Sequence, residues 1–398
     1  MPFTYVNCQY STESDRKLLR AVAEKVIDET TFTLIDRSTN ERFSNSDNLD
    51  IRKTIRIESI YNHWKYSNGV IMLSFQNLAD LLNDEKYSDH VSSFYRYFFS
   101  QKDYLGKLYE NGIQPYDFRG FYRMDWLDDC GALGAALIEL NKSEKVDIYR
   151  DYLESAANFM VNDVCRLEDG TFARKLPYEK TVWLDDLFMS VPFLGKMYQV
   201  TEDSKYLDLA IKQVKQFSHY LWDENAGLFK HCYYDDLERT GVAHWGRANG
   251  WAMMAQSMLL LHIPDEHPEK KNLIRLLSDQ IISISEYQVS SGLYHQLLNK
   301  QDSYLETSCT AMFTYTLANA INQGWIDKRY ASVAVNGWDG ILTKIDSDYN
   351  IHGVCRGTGI QTDLAYYYNR PTPVNDFHGI GAIILAGCEI VKLKHNLK

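Results

Sequence analysis

The chain has 398 residues, of which 45% are hydrophobic and 24% are charged, an ordinary composition for a globular protein. Its formal net charge is −11 and it has no run of lysine or arginine, which argues against nucleic acid as the main partner. No stretch approaches the length of a membrane span, and no basic segment followed by an apolar run indicates a signal peptide. Seven scattered cysteines without a CxxC pair favour reduced thiols in a cytoplasmic protein and give no zinc-ligand pattern.

Six segments recur along the chain at intervals of roughly 60 residues, which indicates a repeat architecture. Each segment begins with polar or aromatic residues, some of which can cap a helix, and continues as an apolar run rich in small residues. Such runs are too apolar for a surface helix, so they are predicted to be buried on most sides. The segments start at His63, Asp125, Trp183, His244, Glu306 and Asn375.

Charged, amphipathic stretches lie between these segments, for example KVDIYRDYLESAANFMVNDV and SKYLDLAIKQVKQFSHYLW. Because an inner helix then alternates six times with an outer helix, residues 1–398 are predicted to form one all-α domain, an (α/α)6 toroid. TFTLIDR and GLFKHCYYDD are predicted to add short hairpins at the rim. The polar starts of the inner helices would gather at one mouth of the ring, where the chemistry is expected. An open helical solenoid is the alternative.

Two aspartate clusters lie at the starts of neighbouring inner helices. In MDWLDDCG, Asp125, Asp128 and Asp129 would share a helix face, where acids also stabilise a helix start. In TVWLDDLFMSVPF, Asp185 and Asp186 stand among apolar side chains, and burial is expected to raise a carboxyl pKa there, as a general acid requires. Only one of these two adjacent aspartates can point into the ring mouth. Glycosidases commonly use such a carboxylate pair, although single aspartates here could also be simple caps.

Aromatic and basic candidates lie at or near other segment starts. HWGRANGW places Arg247 between Trp245 and Trp251, a set suited to holding a carboxylate while rings pack on a sugar face, or to a structural ion pair. Trp64 is a further aromatic candidate for the sugar at the first segment. His231 could donate to a substrate, tune an aspartate or bond within the fold.

Two further segments complete the predicted mouth. ETSCTAM, which begins at Glu306, has the pattern of a helix cap. VCRGTG is not followed by the GK[ST] of a phosphate-binding loop, so its Arg356 is predicted to touch the leaving sugar from the rim.

WLDDLFMSVPFL, HWGRANGW, ETSCTAM and NDFHGIG, in this order and at this spacing, closely resemble the motifs of glycoside hydrolase family 105, the unsaturated rhamnogalacturonyl hydrolases. That family is similar to the unsaturated glucuronyl hydrolases of family 88, and the resemblance extends from about His63 to Glu389. It implies an (α/α)6 fold with no metal and no organic cofactor. It also implies hydration of the C4=C5 double bond that a polysaccharide lyase leaves on a terminal uronic acid, with unsaturated galacturonyl-rhamnose as the expected substrate.

Residue roles follow from the resemblance alone. Asp185 matches the general acid/base that protonates C4 and activates the water adding to C5, and Asp128 matches a second aspartate that assists at the double bond. Arg174 and Lys175 stand where other members carry different polar residues, which is expected to bear on the sugar that is accepted. The positions that match the sugar subsite, with Arg247 as the carboxylate-binding group, are Trp183, His231, Trp245, Arg247 and Trp251.

Three other functions remain open from the residues themselves. An ordinary inverting glycosidase would use Asp128 and Asp185 as acid and base on saturated glycosides. An enzyme similar to the N-acylglucosamine epimerases would be expected to carry paired catalytic histidines at the mouth, where the candidates are mainly carboxylates. A catalytically inactive sugar-binding protein could retain the same side chains. No oligomeric state follows from these patterns.

Overall fold

The computed structural model describes residues 12–397, and in this range the chain is mainly helical, as predicted. The helices are α1 (Glu13–Asp28), α2 (Tyr66–Leu82), α3 (Lys86–Glu110), α4 (Arg119–Arg123), α5 (Gly131–Glu144), α6 (Asp147–Asn158), α7 (Val191–Thr201), α8 (Ser204–Leu221), α9 (Gly246–Leu260), α10 (Lys270–Ser285), α11 (Thr307–Asn322), α12 (Ala331–Leu342), α13 (Leu364–Tyr368) and α14 (Phe377–Asn396). The strands are β1 (Leu34–Asp36), β2 (Arg42–Phe43), β3 (Ile55–Ile57), β4 (Thr181–Trp183), β5 (Trp222–Asp223), β6 (Leu228–Phe229), β7 (Cys232–Tyr234), β8 (Arg239–Thr240), β9 (Tyr294–His295) and β10 (Leu305–Glu306).

The inner layer is a closed ring of the predicted apolar helices. Helices α2, α5, α7, α9, α11 and α14 each contact the next inner helix in chain order, and α14 returns to contact α2. Helices α3, α6, α8, α10 and α12 pack on the outside of α2, α5, α7, α9 and α11, and α1 packs on α14. The predicted (α/α)6 toroid is therefore confirmed, and the contact between α14 and α2 excludes the open solenoid.

Small residues let the inner helices approach one another closely. A Cβ atom built on Gly69 of α2 would lie 2.5 Å from the backbone nitrogen of Leu133 in α5. On the other side of α2, a Cβ on Gly381 of α14 would lie 2.8 Å from the backbone carbonyl of Val70. A larger side chain at either glycine would push neighbouring helices apart, which is the physical reason for the small-residue content of these segments.

The ring is fastened where the two ends of the chain meet. The buried carboxylate of Asp15, in α1, accepts from Lys394 Nζ of α14 at 2.8 Å and from Trp338 Nε1 of α12 at 2.8 Å. This contact joins α1 to α14 as the sixth helix pair, between two segments that lie far apart in the sequence.

The predicted rim hairpins are present as small antiparallel sheets. TFTLIDR supplies β1, which lies between β2 and β3, whereas GLFKHCYYDD supplies β6 to one sheet and β7 to another, not a single hairpin. In the sheet β4-β7-β8, Trp183 pairs with Cys232, and Leu184 N donates to His231 O at 2.9 Å. This register places His231 directly beside the aspartates that follow β4.

One hydrophobic cluster extends through the helices of both layers, and it supports the prediction of a single domain, which remains a prediction. Among residues 12–397, no helix is long and apolar enough to cross a membrane.

Candidate active site

A cleft of about 550 Å³ opens where several inner helices begin. Its walls come from the starts of α2, α5, α7 and α14, from α4, and from the loop of residues 356–359. The starts of α9 and α11 do not line the cleft themselves but hold that loop from behind. The expectation that the inner-helix starts gather at one mouth therefore holds directly for four of the six. Residues of these starts that line the cleft are Lys65, Tyr66, Asp128, Asp129, Trp183, Asp376 and His378.

Asp185 belongs to a buried hydrogen-bonded chain with a histidine and a tyrosine. It lies in the 3-10 turn Leu184–Leu187 between β4 and α7, where its Oδ2 is 2.9 Å from Nε2 of His231. The other ring nitrogen of His231, Nδ1, is 2.8 Å from the hydroxyl of Tyr367. His231 is fully buried, while the Asp185 side chain keeps 14% of its surface exposed. The histidine is therefore held in a fixed orientation against a carboxylate that solvent or a ligand can reach.

The raised pKa expected for Asp185 is wrong. Burial opposes ionisation, but His231, Arg174 and Arg247 outweigh it, so the pKa of Asp185 falls below its ordinary value. Its neighbour Asp186 follows the expectation instead, since desolvation raises the pKa of that buried carboxyl. The two adjacent aspartates point to different partners, as a helical turn requires, and only Asp185 is held ionised by a histidine.

Arg174 connects the two aspartate clusters. Its Nε and Nη2 donate to Asp186 at 2.9 and 2.6 Å, and Nη2 also lies 3.2 Å from Asp128 Oδ1. A backbone bridge to Thr181 fixes this arginine beside β4. Arg174 and Asp186 are buried, whereas Asp128 keeps 22% of its side chain exposed toward the cleft. One guanidinium thus neutralises part of the charge of two carboxylates that lie 58 positions apart in the chain.

Asp128 has a raised pKa, which suits a proton donor at mildly acidic pH. Desolvation raises its pKa to about 6, against the attraction of Arg174, and the negative charges of Asp186, Asp129 and Asp185 add to the shift. Asp128 and Asp185 therefore differ in charge state at mildly acidic pH, with the proton on Asp128 and the negative charge on Asp185. Neighbouring titratable groups whose environments separate their pKa values are the usual arrangement for an acid and a base.

The expected helix face shared by Asp125, Asp128 and Asp129 is wrong. Asp128 and Asp129 belong to a 3-10 turn, Leu127–Asp129, that precedes α5, and Asp125 lies before this turn and is exposed. The helical i, i+4 relation therefore does not apply. Asp129 accepts the backbone amide of Asp125 at 3.1 Å and a bidentate pair from Arg123 at 2.9 and 2.6 Å. Asp129 borders the cleft but its carboxylate is bound within the fold and only 6% exposed, whereas Asp128 is 22% exposed, and a catalytic role for Asp128 stays a prediction.

Trp183 and Trp126 form an aromatic wall around Arg174. The guanidinium carbon lies 4.2 Å from the ring centre of Trp183 and 5.5 Å from that of Trp126. Both rings line the cleft, and Trp183 also lies beside His231, with ring centres 6.0 Å apart. The cation strengthens the wall by a cation–π contact, and because Trp183 is only 9% exposed, its contact with a sugar stays a prediction.

Arg247 is anchored to the loop that covers the cleft. It is buried, and its terminal nitrogens donate to the backbone carbonyls of Cys355 and Arg356, the latter at 2.9 Å. Its guanidinium carbon lies 4.6 Å from the ring of Trp245. Glu306 holds the same loop by accepting the amide of Cys355 at 2.8 Å, and it also caps α11 as predicted. In this state Arg247 positions Arg356 and the loop, and direct binding of a substrate carboxylate stays a prediction.

The predicted sugar-binding tryptophans occupy different depths. Trp64 borders the cleft but is only 2% exposed, because its ring packs among the rings of α3 and α4 and its Nε1 donates to Asp129 O at 2.9 Å. Trp245 and Trp251 are also buried, and the ring centre of Trp245 lies 4.7 Å from that of His231. Trp64 and Trp183 therefore border the cleft, whereas Trp245 and Trp251 do not line it; contact with substrate stays a prediction for all four.

Several site residues had no signal, or only a weak one, in the sequence. Arg174 stood out only as part of a basic pair before β4, and Tyr367 lies in α13, far along the chain from His231. Tyr66, at the first position of α2, lies close enough to Asp128 and Asp185 for their charges to raise its pKa further beyond the effect of burial. A search for aromatic hydroxyls near the segment starts would have found Tyr66, but nothing local distinguishes Tyr367. Within residues 12–397, no group of three or more His, Cys, Asp or Glu side chains is arranged to hold a metal ion.

Comparison with known proteins places this geometry in a family. The family model described as Glycosyl Hydrolase Family 88 matches residues 34–394. The unsaturated rhamnogalacturonyl hydrolase YesR of Bacillus subtilis (strain 168) is 23% identical over 341 residues, which cover 84% of this chain and 91% of YesR. An unsaturated 3S-rhamnoglycuronyl hydrolase of Alteromonas sp. (strain LOR) is 29% identical over 219 residues, which cover 52% of this chain and 51% of that protein.

Solved structures share the fold. A possible member of family 105 from Klebsiella pneumoniae superposes with a TM-score of 0.78 at 23% identity, covering 98% of this chain and 95% of that one. The unsaturated glucuronyl hydrolase of Bacillus sp. GL1 gives a TM-score of 0.63 at 14% identity, covering 94% and 95%. The resemblance to families 105 and 88 seen in the motifs is thus confirmed over nearly the full length. On the match to residues 34–394, the chain belongs to glycosyl hydrolase family 88 and is a glycoside hydrolase.

Proposed function

We propose that this enzyme removes the terminal 4,5-unsaturated uronic acid from lyase-generated oligosaccharides by hydrating the C4=C5 double bond. The observation that carries the proposal is the pair Asp128 and Asp185, two carboxyls at neighbouring inner-helix starts whose pKa values are shifted in opposite directions. Burial raises the pKa of Asp128 to about 6, whereas the contact with His231 lowers the pKa of Asp185 and favours its ionised form. Hydration of a double bond needs one group to give a proton and another to take one from water.

The charge states assign the steps. Asp128 gives its proton to C4, the electron pair of the double bond forms the new C4–H bond, and positive charge develops at C5 and the ring oxygen. A water molecule adds its oxygen to C5 while Asp185, oriented by His231, takes the proton that the water loses. The product is a hemiketal, whose ring opens and releases the neighbouring sugar. Compared with the roles that the family resemblance implies, the proton transfer to C4 moves from Asp185 to Asp128, while Asp185 still activates the water. The raised pKa of Asp128 and the lowered pKa of Asp185 support this assignment.

The substrate is itself an anion, and its carboxylate would lie near the carboxylates of the site. Its binding therefore requires positive charge in the site. Arg174 supplies it next to Asp128, and Arg247 contributes from behind, where its charge lowers the pKa of Asp185. Trp183 offers a ring for the apolar face of the uronic acid. A substrate carboxylate near Asp128 would raise the pKa of that group further, so that substrate binding itself favours the protonated donor.

Unsaturated galacturonyl-rhamnose, a fragment of pectin, is the substrate we propose, and the name of the relative YesR supports it. No metal or organic cofactor takes part in the proposed steps. A cytoplasmic location is proposed as well, and it agrees with the free state of the six cysteines that lie within residues 12–397.

The test follows the ultraviolet absorbance of unsaturated disaccharides prepared with lyases from pectin and from glycosaminoglycans. The wild-type enzyme should abolish the double-bond signal of at least one of them, and Asp185→Asn should not. Asp125→Asn, which removes an exposed acid next to the same cluster, is the matched control and should keep normal activity. Cleavage of saturated glycosides without loss of the double bond would establish an ordinary inverting glycosidase instead. Binding without any turnover would indicate an inactive sugar-binding protein.

A further inference from the structure

We propose that Lys65 and Arg119 form a basic subsite at the edge of the cleft, which binds an anionic group on the sugar next to the unsaturated uronic acid. The group would be a sulfate ester or a carboxylate. The identity of this neighbouring sugar rests on the proposed function, whereas the subsite itself is defined by the geometry of two cations.

The two cations converge on one exposed aromatic ring. Lys65 precedes α2 and Arg119 is the first residue of α4, yet Lys65 Nζ and Arg119 Cζ each lie 4.4 Å from the ring centre of Tyr116. All three residues line the cleft that also contains Asp128 and Trp183. Tyr116 is 61% exposed, so the cation pair stands at the open edge while the carboxyls of the reaction lie deeper.

Among the described residues, Lys65 and Arg119 differ from Arg123 and Arg174 of the same cleft in having no carboxylate partner, a property that they share with Arg356 of the loop. Arg123 is bound to Asp129, and Arg174 is bound to both Asp186 and Asp128. Within the described part of the chain, no carboxylate oxygen lies within 4 Å of the charged nitrogens of Lys65 or Arg119. Their positive charge is therefore free to bind an anion from outside the protein.

The nearest acids are already engaged elsewhere. Asp117 is buried and accepts the amide of Ile57 at 2.7 Å, and Asp376 caps α14 by accepting the amide of His378 at 3.1 Å. Both attract Lys65 at longer range, but burial and the charge of Arg119 lower the lysine pKa in spite of them. The charge of Arg119 thus disfavours the charged form of Lys65, and an anion bound near both side chains would offset this effect.

The position also suits an anion for a second reason. Lys65 stands at the N-cap of α2, a helix of 17 residues, whose first amides add positive potential at the same edge. A guanidinium and an ammonium together can bind two oxygens of a sulfate or a carboxylate by charge-assisted hydrogen bonds. Because Trp183, Lys65 and Arg119 line one cleft, the proposal places the uronic acid against Trp183 and the next sugar at the edge formed by the two cations.

The test compares three unsaturated oligosaccharides whose neighbouring sugar is neutral, carries a sulfate ester or carries a carboxylate. For the anionic ligand that the subsite accepts, Lys65→Met and Arg119→Met should each lower the ratio of kcat/KM on the anionic substrate to kcat/KM on the neutral one by about 10-fold to 100-fold. Lys107→Met, which removes an exposed lysine outside the cleft, should leave the ratio unchanged. Which anionic substrate responds distinguishes the sulfate ester from the carboxylate.

An equal effect of the variants on neutral and anionic substrates, or no effect on any, would overturn the basic subsite while leaving the proposed function intact. Calorimetric binding of the same three ligands separates the two ideas further. Should no double bond be consumed, the proposed function fails, but a preference of the wild-type protein for an anionic ligand that is lost in both variants would still establish the subsite. Equal binding of neutral and anionic ligands by the wild-type protein would refute it.

Discussion

Replacing Arg174 by methionine should destabilise the protein in a way that depends on pH. The substitution keeps a long side chain between Trp183 and Trp126 but removes the one cation that is bound to both Asp128 and Asp186. Breaking a buried ion pair by removing one partner typically costs about 3–5 kcal/mol, because a charge is left buried without compensation. The exposure of Arg174 and Asp186, 7% and 1%, places this pair among the buried ones.

The pH dependence follows from the direction of the pKa changes. Arg174 lowers the pKa of both carboxyls, so its loss raises both further above the values of the unfolded chain. A carboxyl with a raised folded-state pKa holds its proton more tightly when folded, so stability falls as pH rises from the unfolded pKa to the folded one. The slope is about 1.4 kcal/mol per pH unit for each carboxyl in that window. We expect the variant to lose about 3 kcal/mol near pH 6 and about 5 kcal/mol near pH 8.

The assay is equilibrium unfolding in urea at both pH values, for the wild type, Arg174→Met and the double variant Arg174→Met/Asp186→Asn. The double variant should recover part of the stability at pH 8, because the uncompensated charge of Asp186 is gone. A loss that is the same at both pH values, or a loss below about 1 kcal/mol, would refute the reasoning, since it would mean that Arg174 behaves as an exposed partner.

Three further predictions concern catalysis and closure of the ring. Asp185→Asn should lower kcat by about 10²–10⁴-fold without loss of ligand binding by calorimetry, and weakened binding of the same size would contradict a role in the chemical step. Asp128 must be protonated to act, so kcat/KM should fall as the pH rises above about 6, the pKa of Asp128. A rise in kcat/KM over the same pH range would mean that Asp128 acts in its ionised form and that Asp185 is the proton donor. Lys394→Met should lower the free energy of unfolding in urea by about 3–5 kcal/mol, because it leaves Asp15 buried without its cation. The control Lys392→Met, at a half-exposed ion pair, should lower it by less than about 1 kcal/mol. Equal losses in the two variants would show that the buried α1–α14 ion pair stabilises the protein no more than an exposed one.

Much of the fold could be predicted because its signal is local. The inner helices are recognisable from runs of small and apolar residues, and a residue such as Gly69 is needed because the next helix backbone comes within 2.5 Å of where its Cβ would be. Repetition of that pattern at a regular interval was sufficient to predict the ring. The short strands were located less well, since β6 and β7 belong to different sheets and their pairing depends on residues far away in the chain.

The sequence predicted which residues make up the candidate site but not the charge states of its carboxyls. Local motifs identified Asp128, Asp185 and His231 as candidates, and the structure brings them to one region. They could not show that Asp185 would be ionised, because His231 stands 46 positions away and Arg174 approaches from a separate segment. For the same reason Arg247 was expected to be free for substrate, although the backbone of a loop more than 100 positions later occupies its terminal nitrogens.

The sequence by itself determined which helices are buried, how often they repeat and which acids stand at their starts, because helix periodicity, capping and small-residue packing all act over a few neighbouring residues. Only the tertiary structure decided which aspartate has a raised pKa, which arginine is bound to backbone carbonyls inside the fold, and that Lys65 and Arg119 both lie against Tyr116. Those properties depend on the distance between charges and on their burial, and both are fixed only when distant segments of the chain come together in the ring.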